Sequence, residues 1–127
     1  MRLLLDTNIV VALSPATTAA LAPRFNAAIY AADNDPIVSV ASFWEIAIKT
    51  RLGKLDVGMP PTNFVGYLEA IGIAVLPITR DHVLADVDPE PGTRDPFDRL
   101  LLAQCQMEGL RLVTLDRVLA AHPLAWK

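Results

Sequence analysis

The chain has 127 residues, 53% of them hydrophobic, with 11 basic and 14 acidic side chains and a net charge of −3. That length fits one domain, 1–127, with a core that needs no covalent staples, and the negative balance lacks the basic footprint of a non-specific nucleic-acid binder. The longest uncharged stretch, 7–23, is broken by Asn8, Ser14, Pro15, Thr17 and Thr18, so no segment reads as a membrane span, and the first apolar run stops at Asp6, too early for a secretory leader. A cytoplasmic protein is expected.

Short apolar runs alternate with longer apolar-periodic stretches, the pattern of a mainly parallel sheet with helical crossovers. Arg2–Asp6 reads as a buried central strand. Asn8–Leu13 continues as a helix stopped by Pro15, and alanine-rich Thr17–Asp33 reads as a second helix ending in the turn Asp33-Asn34-Asp35-Pro36. Ile37–Val40 is the second strand. Val40–Leu52 is a strongly apolar helix closed by Gly53. Pro60-Pro61 opens a helix through Ile71, ended by Gly72, and Ile73–Pro77 is the third strand. A short helix, Asp81–Val87, precedes the loop Asp88–Gly92. Asp95–Glu108 is a helix ended by Gly109; Arg111–Thr114 is the fourth strand, followed by a short helix near Val118–Ala121 and an edge strand at Leu124–Trp126.

Four acids punctuate this apolar chain. A carboxylate is costly to hold near a core unless something pairs with it or coordinates it, and a group of them with few basic partners suits a divalent cation with oxygen ligands. In open α/β sheets, ligands bind beyond the carboxyl ends of the strands. Asp6 follows the first strand, Asp116 follows the fourth, Glu45 lies on the helix after the second, and Asp98 opens the helix that faces the same rim in a right-handed crossover.

Each acid also has an ordinary structural role open to it. Asp6 and Asp116 can cap the helices that follow. Glu45 fits a capping box with Ser42, unless the helix begins at Ser39, and it fits an i,i+4 ion pair with Lys49. Asp95-Pro96-Phe97-Asp98 makes Asp95 the natural cap, with Asp98 in the first turn, favoured by the helix dipole. Thr114 can orient a carboxylate or a water. Lys49, Arg94 and Arg99 stand near these acids and can guide a phosphate chain; Arg51 and Lys54 read equally well as solvated cations, and Arg99 can pair with a neighbouring acid. A single cysteine, Cys105, excludes an internal disulfide and reads as a buried thiol. His82 and His122 lack ligand spacing and read as packing or solvated groups.

Four blocks then resemble those of PIN-domain proteins. They are Leu4-Leu5-Asp6-Thr7-Asn8, Val38 to Lys49 around Glu45, Arg94 to Gln104 around Asp98, and Gly109 to Asp116. The resemblance spans nearly the whole chain in order, and its nearest subgroup is the VapC-like toxins of type II toxin–antitoxin systems. It implies a three-layer α/β/α sandwich and a Mg2+- or Mn2+-dependent endoribonuclease. It carries over Asp6, Glu45, Asp98 and Asp116 as catalytic and metal-binding acids, with Asn8, Thr114 and Asp95 in support. An RNA substrate, a homodimer and a cognate antitoxin follow from it, with Phe43, Trp44, Phe64 and Tyr67 as candidates for the antitoxin surface. The alternative is a catalytically silent PIN-type module acting through metal, RNA or protein contacts. Two other classes fit less well. A phosphoacceptor signalling domain wants paired early acids, and a haloacid-dehalogenase-like phosphatase wants an acid where Asn8 stands.

Overall fold

A computed structural model of the chain describes residues 1–17 and 20–127. Four strands form one parallel sheet: β1 (Arg2–Leu5), β2 (Asp35–Ser39), β3 (Ala74–Leu76) and β4 (Arg111–Val113), in the order β3-β2-β1-β4. Leu5 pairs in register with Val38 on one side and Val113 on the other, so β1 is central. Leu3, Leu4 and Leu5 have no exposed surface, the condition under which a parallel strand reads as an unbroken apolar run.

Strand alternation sends Leu3 and Leu5 to one face and Leu4 to the other, and each face has its own core. On the first, Leu3, Leu5, Val38 and Val113 pack with Ile9 and Val10 of α1 (Thr7–Ala12), Ile29 of α2 (Pro23–Tyr30), Ile46 of α3 (Val40–Arg51), and Phe64 and Leu68 of α4 (Pro61–Ala70). On the second, Leu4, Ile37 and Leu112 pack with Leu101, Leu102 and Cys105 of α6 (Pro96–Glu108) and Leu119 of α7 (Arg117–Ala120). The short α5 (Arg80–Leu84) packs on α6. The result is an α/β/α sandwich around a parallel sheet, the expected fold class.

Helix boundaries follow local chemistry. Ser39, not Ser42, caps α3 by accepting from the Ala41 amide at 3.0 Å, which removes the capping-box role open to Glu45. Gly109 ends α6 in the left-handed conformation, φ 69°, where a side chain would be strained.

Several boundaries shift from the sequence expectation. The helix expected over Thr17–Asp33 is realised only as Pro23–Tyr30; positions 18 and 19 of that stretch lie outside the described residues. Proline fits the first helical turn, where its missing N–H costs nothing, and it sets the start that alanine content alone could not. The second strand begins at Asp35, because Asp35 and Pro36 pair alongside Arg2 and Leu3. The Asp81–Val87 helix is shorter, Arg80–Leu84. The last segment makes only one parallel bridge, Leu112 to Ala125, rather than a full edge strand. Among the described residues no helix is long and apolar enough to cross a membrane.

Candidate active site

The order β3-β2-β1-β4 means the chain leaves β1 toward β2 and returns on β1's other side as β4. A crevice is therefore expected past the carboxyl end of β1. A cleft of about 390 Å³ lies there, lined by Asp6, Thr7, Asn8, Val11, Glu45, Lys49, Lys54, Leu55, Asp95, Asp98 and Asp116. All four principal acids line it, together with Asp95 and Asn8.

Asp6 is 5% exposed and held from two sides. Its Oδ1 accepts from the Thr7 amide at 2.7 Å and its Oδ2 accepts from Thr114 Oγ1 at 2.6 Å. Burial pushes its carboxyl above the ordinary value, opposed by those two hydrogen bonds and aided by the charges of Glu45 and Asp116. Thr114 Oγ1 in turn accepts from the Asp116 amide at 3.0 Å, which fixes the turn after β4 relative to the end of β1. Asp116 Oδ1 caps α7, accepting from Val118 and Leu119. Asn8 joins the same turn by accepting from the Leu115 amide at 3.3 Å.

Asp98 enters from α6. Thr93 Oγ1 donates to its Oδ2 at 3.0 Å and accepts from the Asp95 amide at 3.1 Å. Burial pushes the Asp98 carboxyl up to about 6, with the charges of Asp95, Asp6 and Asp116 adding and the Thr93 hydrogen bond opposing. Asp95 is the N-cap of α6, its Oδ1 accepting from Phe97 at 2.8 Å, while it also lines the cleft. Glu45 pairs with Lys49 at 2.8 Å one turn along α3. That pairing, together with the nearby charges of Asp95 and Asp6, raises the Lys49 ammonium above its ordinary value.

Capping and cleft-lining are thus not alternatives here. Asp6, Asp95 and Asp116 each use one oxygen on a backbone amide and still border the cleft.

Of the cations named from sequence, Lys49 lines the cleft and Arg94 is exposed beside it in the chain without being part of its wall. Arg99 is turned to the other flank of α6. It pairs with Glu90 and borders a separate groove with His82, Val83, Ala85 and Leu100. Lys54, read equally well as a solvated cation, lines the cleft. His82 and His122 are packing groups. His82 completes a capping box with Thr79 and meets Glu108 at 2.9 Å; His122 Nε2 meets the Pro89 carbonyl at 2.8 Å. Cys105 is buried, which pushes its thiol up to about 12.

Sequence reasoning missed Thr93, and with it the hydroxyl pair Thr7 and Ser42, whose Oγ atoms lie 3.0 Å apart behind Asp6. Thr93 left one signal: a hydroxyl two residues before an acid-proline step is the pattern of a side-chain turn onto the i+2 amide.

The side chains in the wall that can ligate a metal are oxygen donors, with no sulfur or imidazole. That donor set suits a hard divalent cation, and Asp6 and Asp98 are pushed up first by burial and further by the neighbouring acids, as carboxylates without a counter-charge are. Among the described residues no three His, Cys, Asp or Glu groups converge tightly enough to make a ready ligand set. The donor chemistry therefore fits a divalent cation, while the acids stand apart around the cleft.

Comparison with curated proteins finds no match. The PIN domain family pattern matches residues 3–123, from β1 through the segment beyond α7. PIN domains are typically nucleases and generally use divalent metal ions. By that match over nearly its whole length, the chain belongs to the PIN-domain family.

Proposed function

We propose that this protein is a Mg2+- or Mn2+-dependent endoribonuclease acting as the toxin of a type II toxin–antitoxin pair, of the VapC-like kind. The observation that carries the catalytic part is the meeting of Asp6, Glu45, Asp98 and Asp116 around one cleft at the carboxyl end of the central strand. Asp6 and Asp98 would hold the cation, with Glu45 and Asp116 completing the site. When bound, such an ion lowers the pKa of a coordinated water and offsets charge building on a phosphate.

The chain's own groups have distinct tasks. Thr7 and Thr114 fix both oxygens of Asp6, and Thr93 fixes one oxygen of Asp98, so neither carboxylate must reorganise during the reaction. Glu45 is held in place by its Lys49 pair and can orient an attacking water. Lys49 and Lys54 are the cations lining the cleft among the described residues, and they draw the phosphate chain into an otherwise negative site. Asn8 holds the β4–α7 turn that carries Asp116.

Cleavage of cellular RNA by the purified protein tests this reading. Activity should vanish in EDTA, return with Mg2+ or Mn2+, and fail in Asp6→Asn; equal cleavage in excess EDTA would sink it. The toxin assignment predicts growth arrest when the protein is induced in the cytoplasm of a host cell, and rescue by the product of an adjacent small gene. A homodimer is expected in solution. The wide spacing of the acids favours, as a second reading, a catalytically silent PIN-type module; the complete acid set weighs against it, and cation-dependent RNA cleavage separates the two.

A further inference from the structure

Three side chains in the cleft wall have no part in the chemistry of its acids: Val11 of α1, and Lys54 and Leu55 from the segment 52–60 that joins α3 to α4. That segment is anchored at both ends. Near its start, the Lys54 amide donates to the Lys49 carbonyl of α3 at 2.9 Å. Further on, Ser14 Oγ donates to the Val57 carbonyl at 2.9 Å, and Val57 has no exposed surface. Gly58, at φ 81°, lies so close to the chain after α1 that a Cβ there would stand 3.0 Å from Ala16 Cβ. Lys54 and Leu55 lie between these anchors, so their place in the wall is fixed.

Val11 and Leu55 pack against the core under the first face of the sheet, yet both are only half-buried and border the cleft. Core-edge residues are commonly half-buried; these two differ in facing an open cleft beside an unpaired ammonium. Lys54 is exposed and makes no ion pair among the described residues, whereas Lys49 is held by Glu45. A cation and a bare phosphate have no use for aliphatic surface. A nucleotide does: the face of its base can cover two aliphatic side chains while its phosphate meets the ammonium.

We propose that Val11 and Leu55 seat the base of one nucleotide of the bound RNA, with its phosphate on Lys54. This rests on the nuclease reading above and adds to it the place where a nucleoside lies. Neither aliphatic side chain has a hydrogen-bond donor or acceptor to read a base edge, so the seat takes all four bases. Its effect is on register: it fixes which linkage of the chain meets the acids.

The test is a nuclear magnetic resonance titration of the full chain, with isotope-labelled methyl groups, in Mg2+. Uridine monophosphate should shift the methyl resonances of Val11 and Leu55 and leave those of Leu101 and Leu119, on the sheet's other face, in place. Adenosine monophosphate should move the same methyls. Ribose phosphate, which lacks the base, should move them far less, and inorganic phosphate should leave them still. Leu55→Ala should weaken uridine monophosphate about threefold or more without weakening inorganic phosphate; Leu55→Met, which keeps the apolar volume, should bind as wild type does. Lys54→Met should weaken both ligands. The wild-type titration decides the matter even if Leu55→Ala folds poorly. Methyls that stay still with both nucleotides, or that move equally with ribose phosphate, overturn the seat. So does a folded Leu55→Ala protein that loses both ligands equally. Methyl shifts in a protein that cleaves no RNA leave the seat standing and overturn the nuclease reading alone; cleavage with silent methyls does the reverse.

Discussion

Thr114 Oγ1 lies 2.6 Å from Asp6 Oδ2 and joins two strands' ends through one hydroxyl. The same oxygen accepts from the Asp116 amide at 3.0 Å, so the group at the end of β4 sets both a buried carboxylate and the turn that presents the next acid. Thr114→Val keeps the shape and removes both bonds. A buried carboxylate losing a charge-assisted hydrogen bond should cost about 1–3 kcal/mol, read as a lowered melting temperature. Because that bond holds Asp6 down against burial, its loss should move the acid limb of the pH–rate profile upward. Thr114→Ser should restore both properties. A valine variant with wild-type melting and profile would remove Thr114 from the site.

Asp98 gives a pH dependence opposite in sign to that of a salt-bridged carboxylate. Its ordinary value is 3.8 and burial lifts it to about 6 in the fold, so the folded state binds its proton more tightly than the unfolded state does. The corresponding stability is fully present below 3.8 and is lost as pH rises through about 6. Bare conversion gives roughly 3 kcal/mol; solvent screening at this half-open position reduces that to about 1 kcal/mol. Asp98→Asn should therefore stabilise the cation-free protein by that order above neutral pH and make little difference in acid. Added Mg2+ should raise the wild-type melting temperature more than the variant's. Denaturant titrations at both pH extremes, with and without the ion, would expose a wrong sign directly.

Lys49 separates electrostatics of function from those of stability. Its pair with Glu45 joins a half-exposed lysine to a mostly covered carboxylate; with one partner this open to solvent, such an i,i+4 pair contributes only about 0.3–0.5 kcal/mol. Lys49→Met should thus leave the melting temperature nearly unchanged. The cleft loses one of its two lining cations, so KM for RNA should rise and the slope of log affinity against log salt should fall by about 0.7, one phosphate contact on a single strand. An unchanged slope would place the ammonium off the substrate path.

What was legible in the sequence follows from which signals are strong. Asp6 and Asp116 could be placed because buried parallel strands announce themselves as short apolar runs, and an acid ending such a run must stand on the carboxyl rim. Asp95 and Asp98, three residues apart on a helix, share a side, which is why both border the cleft. Arg99 follows Asp98 by one residue and is turned about 100° away; chain proximity to an acid said nothing of which flank it would occupy, and it meets Glu90. The start of α2 was obscured because alanine favours a helix without marking its ends. Thr93 and Ser42 stayed hidden because hydroxyls make short local bonds at many positions, and only the folded partner, Asp98 or Thr7, gives them meaning.

Asp95 is both cap and cleft wall, and the two roles can be separated by substitution. Its Oδ1 accepts from the Phe97 amide at 2.8 Å, and its charge helps raise Asp98. Asp95→Ala removes both and should cost about 1 kcal/mol of stability. Asp95→Asn keeps a capping oxygen while removing the charge, so stability should stay close to wild type. Asp95 stands at the start of α6 beside Asp98 and raises it by its charge, so it is expected to act on the cation through Asp98 rather than directly. Asp95→Asn should then lose less than about tenfold in cleavage, within the range for groups that orient a ligand, and should lower the pH at which Asp98 ionises. Asp98→Asn should lose far more. If both asparagine variants proved equally inactive and equally weak for Mn2+ by calorimetry, Asp95 would count as a direct ligand.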